Sequence, residues 1–182
     1  MNAPYRIIPA TPRDYATVER IAHATWPATF GEILTPAQIE YMLAMMYRPA
    51  AMAEQVAGGH RFHLLLERAS GDRPADAYGG PGEPYAAVAY VSHQPDYLPG
   101  TTKIHKLYAL PRVQGRGYGR VLVEHVRQLA RAAGQSRLRL DVNYQNAAIG
   151  FYQHLGFRKV AEHTTDIGQG YLMEDWVMET EL

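Results

Sequence analysis

The sequence predicts an α/β protein in which helices cover both faces of one mixed β-sheet. Short apolar runs typical of strands alternate along the chain with longer segments of helical periodicity. Their order is strand, two helices, three strands, helix, strand, helix and two strands. Helices that separate strands in this way pack on both sides of a mixed sheet. The length of 182 residues fits one domain, residues 1–182.

The first strand is predicted at residues 5–9, where the chain is apolar. A helix follows, because Thr11 and Pro12 precede Asp14 in the pattern of a helix start. This helix is expected to end at Pro27, since proline cannot donate the backbone hydrogen bond that a helix interior needs. A loop is expected between this helix and the next, at residues 28–34.

The second helix is predicted to begin with Thr35 as its cap and to end before Pro49. Met42 and Met46 lie on its apolar face and are interpreted as core residues. The segment 69–84 is rich in glycine, proline and aspartate, which predicts a long connecting loop. The other elements are strands at 62–66, 86–91, 104–110 and 138–142, helices at 118–133 and 147–155, and two final strands that include 158–160 and 171–178.

Composition excludes several classes of function. The 18 lysines and arginines balance 18 aspartates and glutamates, so the chain has no net field that would attract nucleic acid or an anionic membrane. The absence of cysteine excludes disulfides, thiolate metal sites and a cysteine acyl-enzyme. No segment approaches the roughly 18 apolar residues that span a membrane. These features predict a soluble, cytoplasmic protein.

A glycine-rich turn between a strand and a helix is the sharpest motif. Gly115, Gly117 and Gly119 occupy alternate positions, so the backbone can turn tightly and present successive N–H groups to an anion. The helix that begins there adds its free N–H groups and the positive end of its dipole. We expect a pyrophosphate site, to which Arg116 or Arg120 adds a charge-assisted contact. Its spacing differs from those of P-loops and dinucleotide-binding turns.

Two blocks of sequence resemble the GNAT superfamily of acetyltransferases. Gln114, Gly117 and Gly119 match its signature Q/R-x-x-G-x-G/A, and residues 143–157 resemble its asparagine, alanine-isoleucine, phenylalanine-tyrosine and glycine-phenylalanine block. The resemblance implies the GNAT fold, a mixed and mostly antiparallel central sheet of about six to seven strands flanked by about four helices. It also implies acetyl-CoA as the co-substrate.

The resemblance further implies which residues contact acetyl-CoA. Leu107, Tyr108 and Ala109 would contact the pantetheine arm. The pyrophosphate would be bound by the glycine turn, Gln114, Gly115, Arg116, Gly117, Tyr118, Gly119 and Arg120. Asn146 would contact the cofactor from the next helix, and Tyr152 would lie beside the sulfur. Many members place two residues between the asparagine and the alanine-isoleucine pair, whereas Asn146 is followed by one. Asn143 or Gln145 is therefore an alternative for the role of Asn146.

Acetyl transfer to an amine requires a base, stabilisation of the carbonyl oxygen and a proton for the departing thiolate. Tyr152 is the candidate acid. A backbone N–H of residues 108–110 is the candidate for the oxyanion, freed by a bulge expected before Pro111. The candidates for the base are Glu32, His105, Glu174 and Asp175.

Strand alternation separates the side chains near the expected thioester. It assigns His105, Leu107 and Ala109 to one face and Lys106 and Tyr108 to the other. It also directs His60 and His63 to opposite faces, and neither has a convincing third ligand nearby. The sequence therefore predicts no metal site.

These features predict direct transfer of acetyl from acetyl-CoA to a primary amine in a ternary complex. A small cationic amine or polyamine is the first candidate, because residues 25–32 and 168–178 resemble the polyamine-acetylating PaiA group and the acids Glu32, Glu174 and Asp175 would flank a cation. A protein N-terminus or an amino acid is the second candidate. A sensor module that holds CoA without turnover is a third, and a homodimer through the late strands stays open.

Overall fold

The computed structural model describes residues 4–68, 77–78 and 85–182. The helices are α1 (Tyr15–Phe30), α2 (Pro36–Tyr47), α3 (Pro49–Ala57), α4 (Tyr118–Ala132) and α5 (Ala148–His154). The strands are β1 (Tyr5–Pro9), β2 (Arg61–Arg68), β3 (Ala77–Tyr78), β4 (Tyr85–Leu98), β5 (Thr101–Ala109), β6 (Arg137–Asn143), β7 (Arg158–Gly168) and β8 (Tyr171–Glu181). The loop predicted at 69–84 lies outside the described residues, apart from the short strand β3.

The strands form one sheet in the order β1-β2-β4-β5-β6-β8-β7, with β3 paired to β4. The pair β5/β6 is parallel, and the other pairs along this path are antiparallel. The mixed, mostly antiparallel sheet that the sequence predicts is therefore confirmed.

The helices lie on both faces of the sheet, as expected. The ring of Trp26 in α1 lies 5.9 Å from that of Tyr108 in β5. The preceding residue, Leu107, projects the other way, and its side chain lies 3.7 Å from the position of a Cβ at Gly119 in α4. Since adjacent strand residues point to opposite faces, α1 and α4 cover opposite sides of β5.

Helix α1 continues past Pro27, where the sequence interpretation ended it, and stops at Phe30. The turn that contains the proline is anchored by Trp26 and Phe30, which are 2% and 8% exposed. Burial of two aromatic rings outweighs the single backbone hydrogen bond that a proline removes. The expected loop is consequently shorter than predicted.

Helix α3 was not predicted, because the sequence interpretation treated Pro49 only as a stop for α2. Pro49 is instead the first residue of α3. Proline is favoured at that position, because its missing N–H would have no partner within the helix. Gln55 in this helix reaches back to α2 and donates a hydrogen bond of 2.7 Å to the backbone oxygen of Met46.

The two parallel strands separate halfway along their length. Pairing between β5 and β6 runs from Thr101 with Arg137 to Ile104 with Leu140 and includes no later residue of either strand. Strand β6 remains paired with β8 as far as Asn143. The C-terminal half of β5 therefore faces a gap in the sheet.

A β-bulge at His105 changes which side chains share a face. Ile104 pairs with His93 and Lys106 with Ser92, so His105 is an extra residue in β5. The alternation predicted across this point is wrong, since His105 lies on the α1 side together with Lys106. The rings of His105 and His60 stack at 3.9 Å on that side.

Candidate active site

The gap between β5 and β6 opens into a cavity of about 930 Å³. Its walls come from both sides of the sheet: α1 and α2 on one side, the start of α4 and α5 on the other, with β5, β6, β7 and β8 between them. A large apolar cavity with a few polar groups is the usual form of a small-molecule site.

The backbone of β5 offers two amides to this cavity. The Leu110 N–H donates to the carbonyl oxygen of Val88 in a hydrogen bond of 2.8 Å. The prediction of a bulge directly before Pro111 is therefore wrong, since the Leu110 amide is paired and the register from Lys106 to Ala109 is regular. Because hydrogen-bonding direction alternates along an antiparallel pair, the N–H groups of Leu107 and Ala109 point away from β4, into the gap.

The glycine turn has the geometry that the sequence predicts for an anion cradle. Gly115 and Gly117 have φ angles of 78° and 83°, in the left-handed region that favours glycine. The first intrahelical bond of α4 runs from the Val121 N–H to the Gly117 carbonyl oxygen at 3.1 Å. The amides of residues 118–120 precede that bond and so remain available to a ligand at the helix N-terminus.

The two arginines of this turn have different partners. The Arg116 guanidinium donates a hydrogen bond of 2.9 Å to Glu67 and does not line the cavity. The hydroxyl of Tyr118 donates to the same carboxylate at 2.6 Å, so its backbone is the part of Tyr118 that is free to bind an anion. Arg120 lines the cavity and is exposed. Of the two arginines considered, the structure therefore favours Arg120.

Asn146 lines the cavity at the start of α5. Its side-chain oxygen accepts a hydrogen bond of 2.8 Å from the Ala148 N–H, two residues further on, which fixes the side chain in an Asx-type turn just before α5. Asn143 also lines the cavity, whereas Gln145 does not. Asn143 is therefore the better placed of the two alternatives for the role of Asn146.

Tyr152 reaches the cavity from α5 and is 8% exposed. Burial raises the pKa of its phenol to about 12, because the ionised form would lose its hydration. The phenol therefore keeps its proton at neutral pH. The ring of Tyr152 packs against those of Phe151 and Phe157, with ring centroids 5.1 and 5.8 Å away.

Of the acidic candidates for the base, Asp175 lines the cavity. It is 5% exposed, and burial together with nearby Asp141 raises the pKa of its carboxyl to about 6. The structure does not bring Glu32 or Glu174 to the site, since both are exposed and neither lines the cavity. In β8, Glu174 and Asp175 point to opposite faces.

His105 lines the cavity, but its surroundings do not suit a base. Burial, followed by the neighbouring His60 and the positive charges of Lys103 and Lys106, lowers its pKa to about 2. Its Nε2 atom lies 3.1 Å from Oε1 of Gln94, an oxygen that only accepts, so Nε2 carries the proton.

The apolar wall on the α1 side was not identified as a binding surface from the sequence. Six of its members are Trp26, Phe30, Met42, Met46, Tyr47 and Tyr108. Met42 is also part of the hydrophobic core, as predicted. The helical spacing of these residues did not distinguish a cavity wall from a core, because both require the same apolar face.

His60 and His63 do lie on opposite faces, since His60 stacks on His105 whereas His63 contacts His125 of α4 at 4.7 Å. Within residues 4–68, 77–78 and 85–182, no group of three or more histidines, aspartates or glutamates is arranged to hold a metal ion. In the same part of the chain no helix combines the length and apolar character needed to cross a bilayer.

Known proteins match this chain in part of their length. A mycothiol acetyltransferase from Beutenbergia cavernae is 42% identical over 64 residues, which cover 35% of this chain and 22% of that protein. The peptidyl-lysine N-acetyltransferase YjaB from Escherichia coli is 40% identical over 67 residues, covering 36% and 42%. The matched segment thus spans less than half of each relative.

A solved structure is similar over nearly the whole chain. The PaiA N-acetyltransferase from Thermoplasma acidophilum in complex with coenzyme A superimposes with a TM-score of 0.75 at 18% identity, covering 99% of this chain and 100% of that one. At this identity the likeness shows a shared fold. The family model described as "Acetyltransferase (GNAT) family" matches residues 26–157, well over half of the sequence. The chain therefore belongs to the acetyltransferase (GNAT) family.

Proposed function

We propose that the protein is an acetyl-CoA-dependent N-acetyltransferase that moves acetyl directly to a primary amine in a ternary complex. One observation carries the proposal: a single cavity joins the amides of the glycine turn to Tyr152 and Asp175. Donor and acceptor would then meet at the gap between β5 and β6.

The residues present fit acetyl-CoA as the donor substrate. The amides of residues 118–120 and the left-handed Gly115 and Gly117 suit its pyrophosphate. A Cβ placed at Gly115 or Gly117 would meet nothing within 4 Å, so both approaches to the turn are open. The outward amides of Leu107 and Ala109 suit the pantetheine arm and the thioester carbonyl.

Asp175 is the proposed base. A carboxylate with a pKa of about 6 is largely ionised at neutral pH and can accept a proton from the ammonium group of the bound acceptor before attack. The neutral amine then forms a C–N bond with the acetyl carbonyl carbon, and the C–S bond breaks. An amide of Leu107 or Ala109 would donate to the carbonyl oxygen as negative charge develops.

Tyr152 is the proposed acid for the departing thiolate. Its pKa of about 12 exceeds that of an ordinary thiol. With a thiol pKa of about 8.5, complete transfer would be uphill by about 5 kcal/mol. The phenol therefore acts chiefly as a hydrogen-bond donor to sulfur while the C–S bond breaks. The nitrogen loses a second proton as the amide forms, and that proton neutralises the thiolate.

The acceptor is proposed to be a small primary amine. The preference for a polyamine relied on the resemblance of residues 25–32 and 168–178 to the PaiA group and on three acids, of which only Asp175 lines the cavity. The other carboxylate in the lining, Asp141, is paired with Lys103, so a chain of several cations would meet one unpaired carboxylate. The polyamine remains a candidate that a substrate panel must test against amino acids and peptide N-termini.

The test measures CoA release from acetyl-CoA with polyamines, amino acids and peptides as acceptors, against the rate without an acceptor. Calorimetry of CoA binding accompanies it. Acceptor-dependent release with CoA uptake is expected. Binding of CoA without acceptor-dependent release of CoA from acetyl-CoA would favour a sensor module. Failure of the protein to bind CoA would overturn the assignment of the donor site.

A further inference from the structure

Lys106 is a buried ammonium group in the wall of the cavity. It is 9% exposed and lies on the α1 side of the sheet. Its Nζ atom donates a hydrogen bond of 2.6 Å to Oε1 of Gln55. The rings of Tyr47 and Phe62 lie 5.9 and 5.8 Å from Nζ. None of these partners carries a negative charge.

The ionisable groups that interact electrostatically with Lys106 are His60, His105 and Lys103. None of them is an acid, and the charge of Lys103 is already paired with Asp141 at 2.5 Å. Burial and the charge of Lys103 lower the pKa of Lys106 to about 8, so it is still largely protonated at neutral pH. Among the residues that the structure describes, no carboxylate forms an ion pair with Lys106.

A buried cation without a counter-ion is costly, and an anionic ligand removes that cost. Lys106 borders the same cavity as Asp175, the proposed site of the acceptor amine. The lining of this cavity also includes the aromatic rings of Trp26 and Tyr108. The cavity thus contains a positive position, a negative position and apolar walls.

We infer that the acceptor carries a carboxylate bound by Lys106 and an amine bound at Asp175, with an apolar side chain against the aromatic wall. This inference rests on the proposed function and specifies its substrate class: amino acids with apolar side chains. A polyamine fits less well, because Lys106 places a positive charge without an ion-pair partner in the same cavity wall.

The first experiment compares matched acceptors that differ in the carboxylate. Phenylalanine is paired with phenethylamine and lysine with cadaverine, and kcat/KM is measured for each. The carboxylate-bearing member is expected to be at least tenfold better with the unaltered protein. In Lys106→Met this ratio should fall toward one, because the cation is lost while the length of the apolar stem is kept. Lys106→Arg should retain part of it.

The second experiment does not depend on turnover. Calorimetry in the presence of CoA measures binding of N-acetylphenylalanine and N-acetylphenethylamine, which are matched product analogues. The first is expected to bind at least tenfold more tightly to the unaltered protein, and Lys106→Met should remove the difference. Thermal melting and CoA affinity establish that each variant is folded.

The outcomes separate this inference from the proposed function. Selective binding of the carboxylate analogue without turnover would overturn the acetyltransferase proposal and keep the anion site. Turnover with equal kcat/KM for both members of each pair would support the acetyltransferase proposal and overturn the anion site. Equal discrimination by Lys106→Met and the unaltered protein would also overturn the assignment to Lys106.

Discussion

A Cβ atom at Gly119 would lie 3.1 Å from Cζ of Phe151, so the first turn of α4 is in close contact with the aromatic ring of α5. We predict that Gly119→Ala lowers the affinity for CoA at least threefold, because the new methyl group forces the Phe151 ring or the first turn of α4 to shift at the proposed pyrophosphate site. Isothermal titration with CoA measures the effect. Gly150→Ala is the matched control, since its Cβ would meet nothing within 4 Å. It should bind CoA normally and gain up to about 1 kcal/mol of stability.

The pair can be tested for direct contact by a compensating change. Phe151→Leu removes the ring that the new methyl group would strike, so the double variant should recover affinity relative to Gly119→Ala. If the two single effects are simply additive, the clash is not the cause.

Tyr152→Phe should lower kcat at least tenfold, or roughly 1.4 kcal/mol in the barrier, while the affinity for CoA changes little. The change removes a hydrogen-bond donor and leaves the packing of the ring against Phe157 in place. Tyr171→Phe, outside the cavity, is the control. Unchanged turnover in Tyr152→Phe across all accepted amines would remove this tyrosine from the mechanism.

The pH dependence should report Asp175. Its pKa is raised to about 6, so kcat/KM is expected to increase with pH through that value as the carboxylate forms. In Asp175→Asn this step should be absent, and kcat/KM at pH 7.5 should be at least tenfold lower. A step near pH 6 that persists in the variant would assign it to another group.

The same residue should affect stability in a defined direction. A carboxyl whose folded pKa exceeds its unfolded value stabilises the fold below the unfolded pKa, and this contribution is lost as pH rises through about 6. Asp175→Asn is therefore expected to be more stable than the unaltered protein at pH 7.5, by about 1 to 3 kcal/mol. Chemical denaturation checks the sign, and a loss of stability would contradict it.

Three histidines packed on the α4 side of the sheet predict sensitivity to acid. His93 stacks on His63 at 5.3 Å, and His63 contacts His125 at 4.7 Å. Burial and mutual repulsion lower the pKa of His93 to about 3 and that of His63 to about 4. The neutral rings therefore stabilise the fold above pH 6.5, and this contribution is lost as pH falls toward those values.

His93→Leu should reduce this sensitivity. A single histidine whose pKa is lowered from 6.5 to about 3 contributes about 2 kcal/mol to the difference in unfolding free energy between pH 8 and pH 5. Guanidinium unfolding at both pH values measures that difference, which should shrink by about this amount in the variant. The value at pH 8 isolates the change in packing, and an unaltered difference would show that His93 is not responsible.

The elements of the fold could be predicted because their signals are local. Glycines at positions 115, 117 and 119 and the apolar periodicity of α4 depend only on residues near in sequence. The continuation of α1 past Pro27 could not be predicted, because it depends on tertiary burial of Trp26. Local propensity and long-range packing disagree there, and packing decides.

The site was predicted less completely than the fold. The glycine turn and Tyr152 were found through contiguous motifs, and both line the cavity. Lys106 was not recognised as a ligand-binding candidate, because its burial beside Gln55 follows from a helix that was not predicted. The side of β5 on which His105 lies depends on a bulge that only the pairing with β4 reveals.

The separation of β5 from β6 beyond Ile104 and Leu140 leaves an opening that connects the two faces of the sheet. The groups proposed for the nucleotide end of the donor lie at the start of α4, whereas those proposed for the acceptor lie in α1, β5 and β8. Changes in the acceptor residues are therefore expected to redirect specificity while donor recognition stays intact.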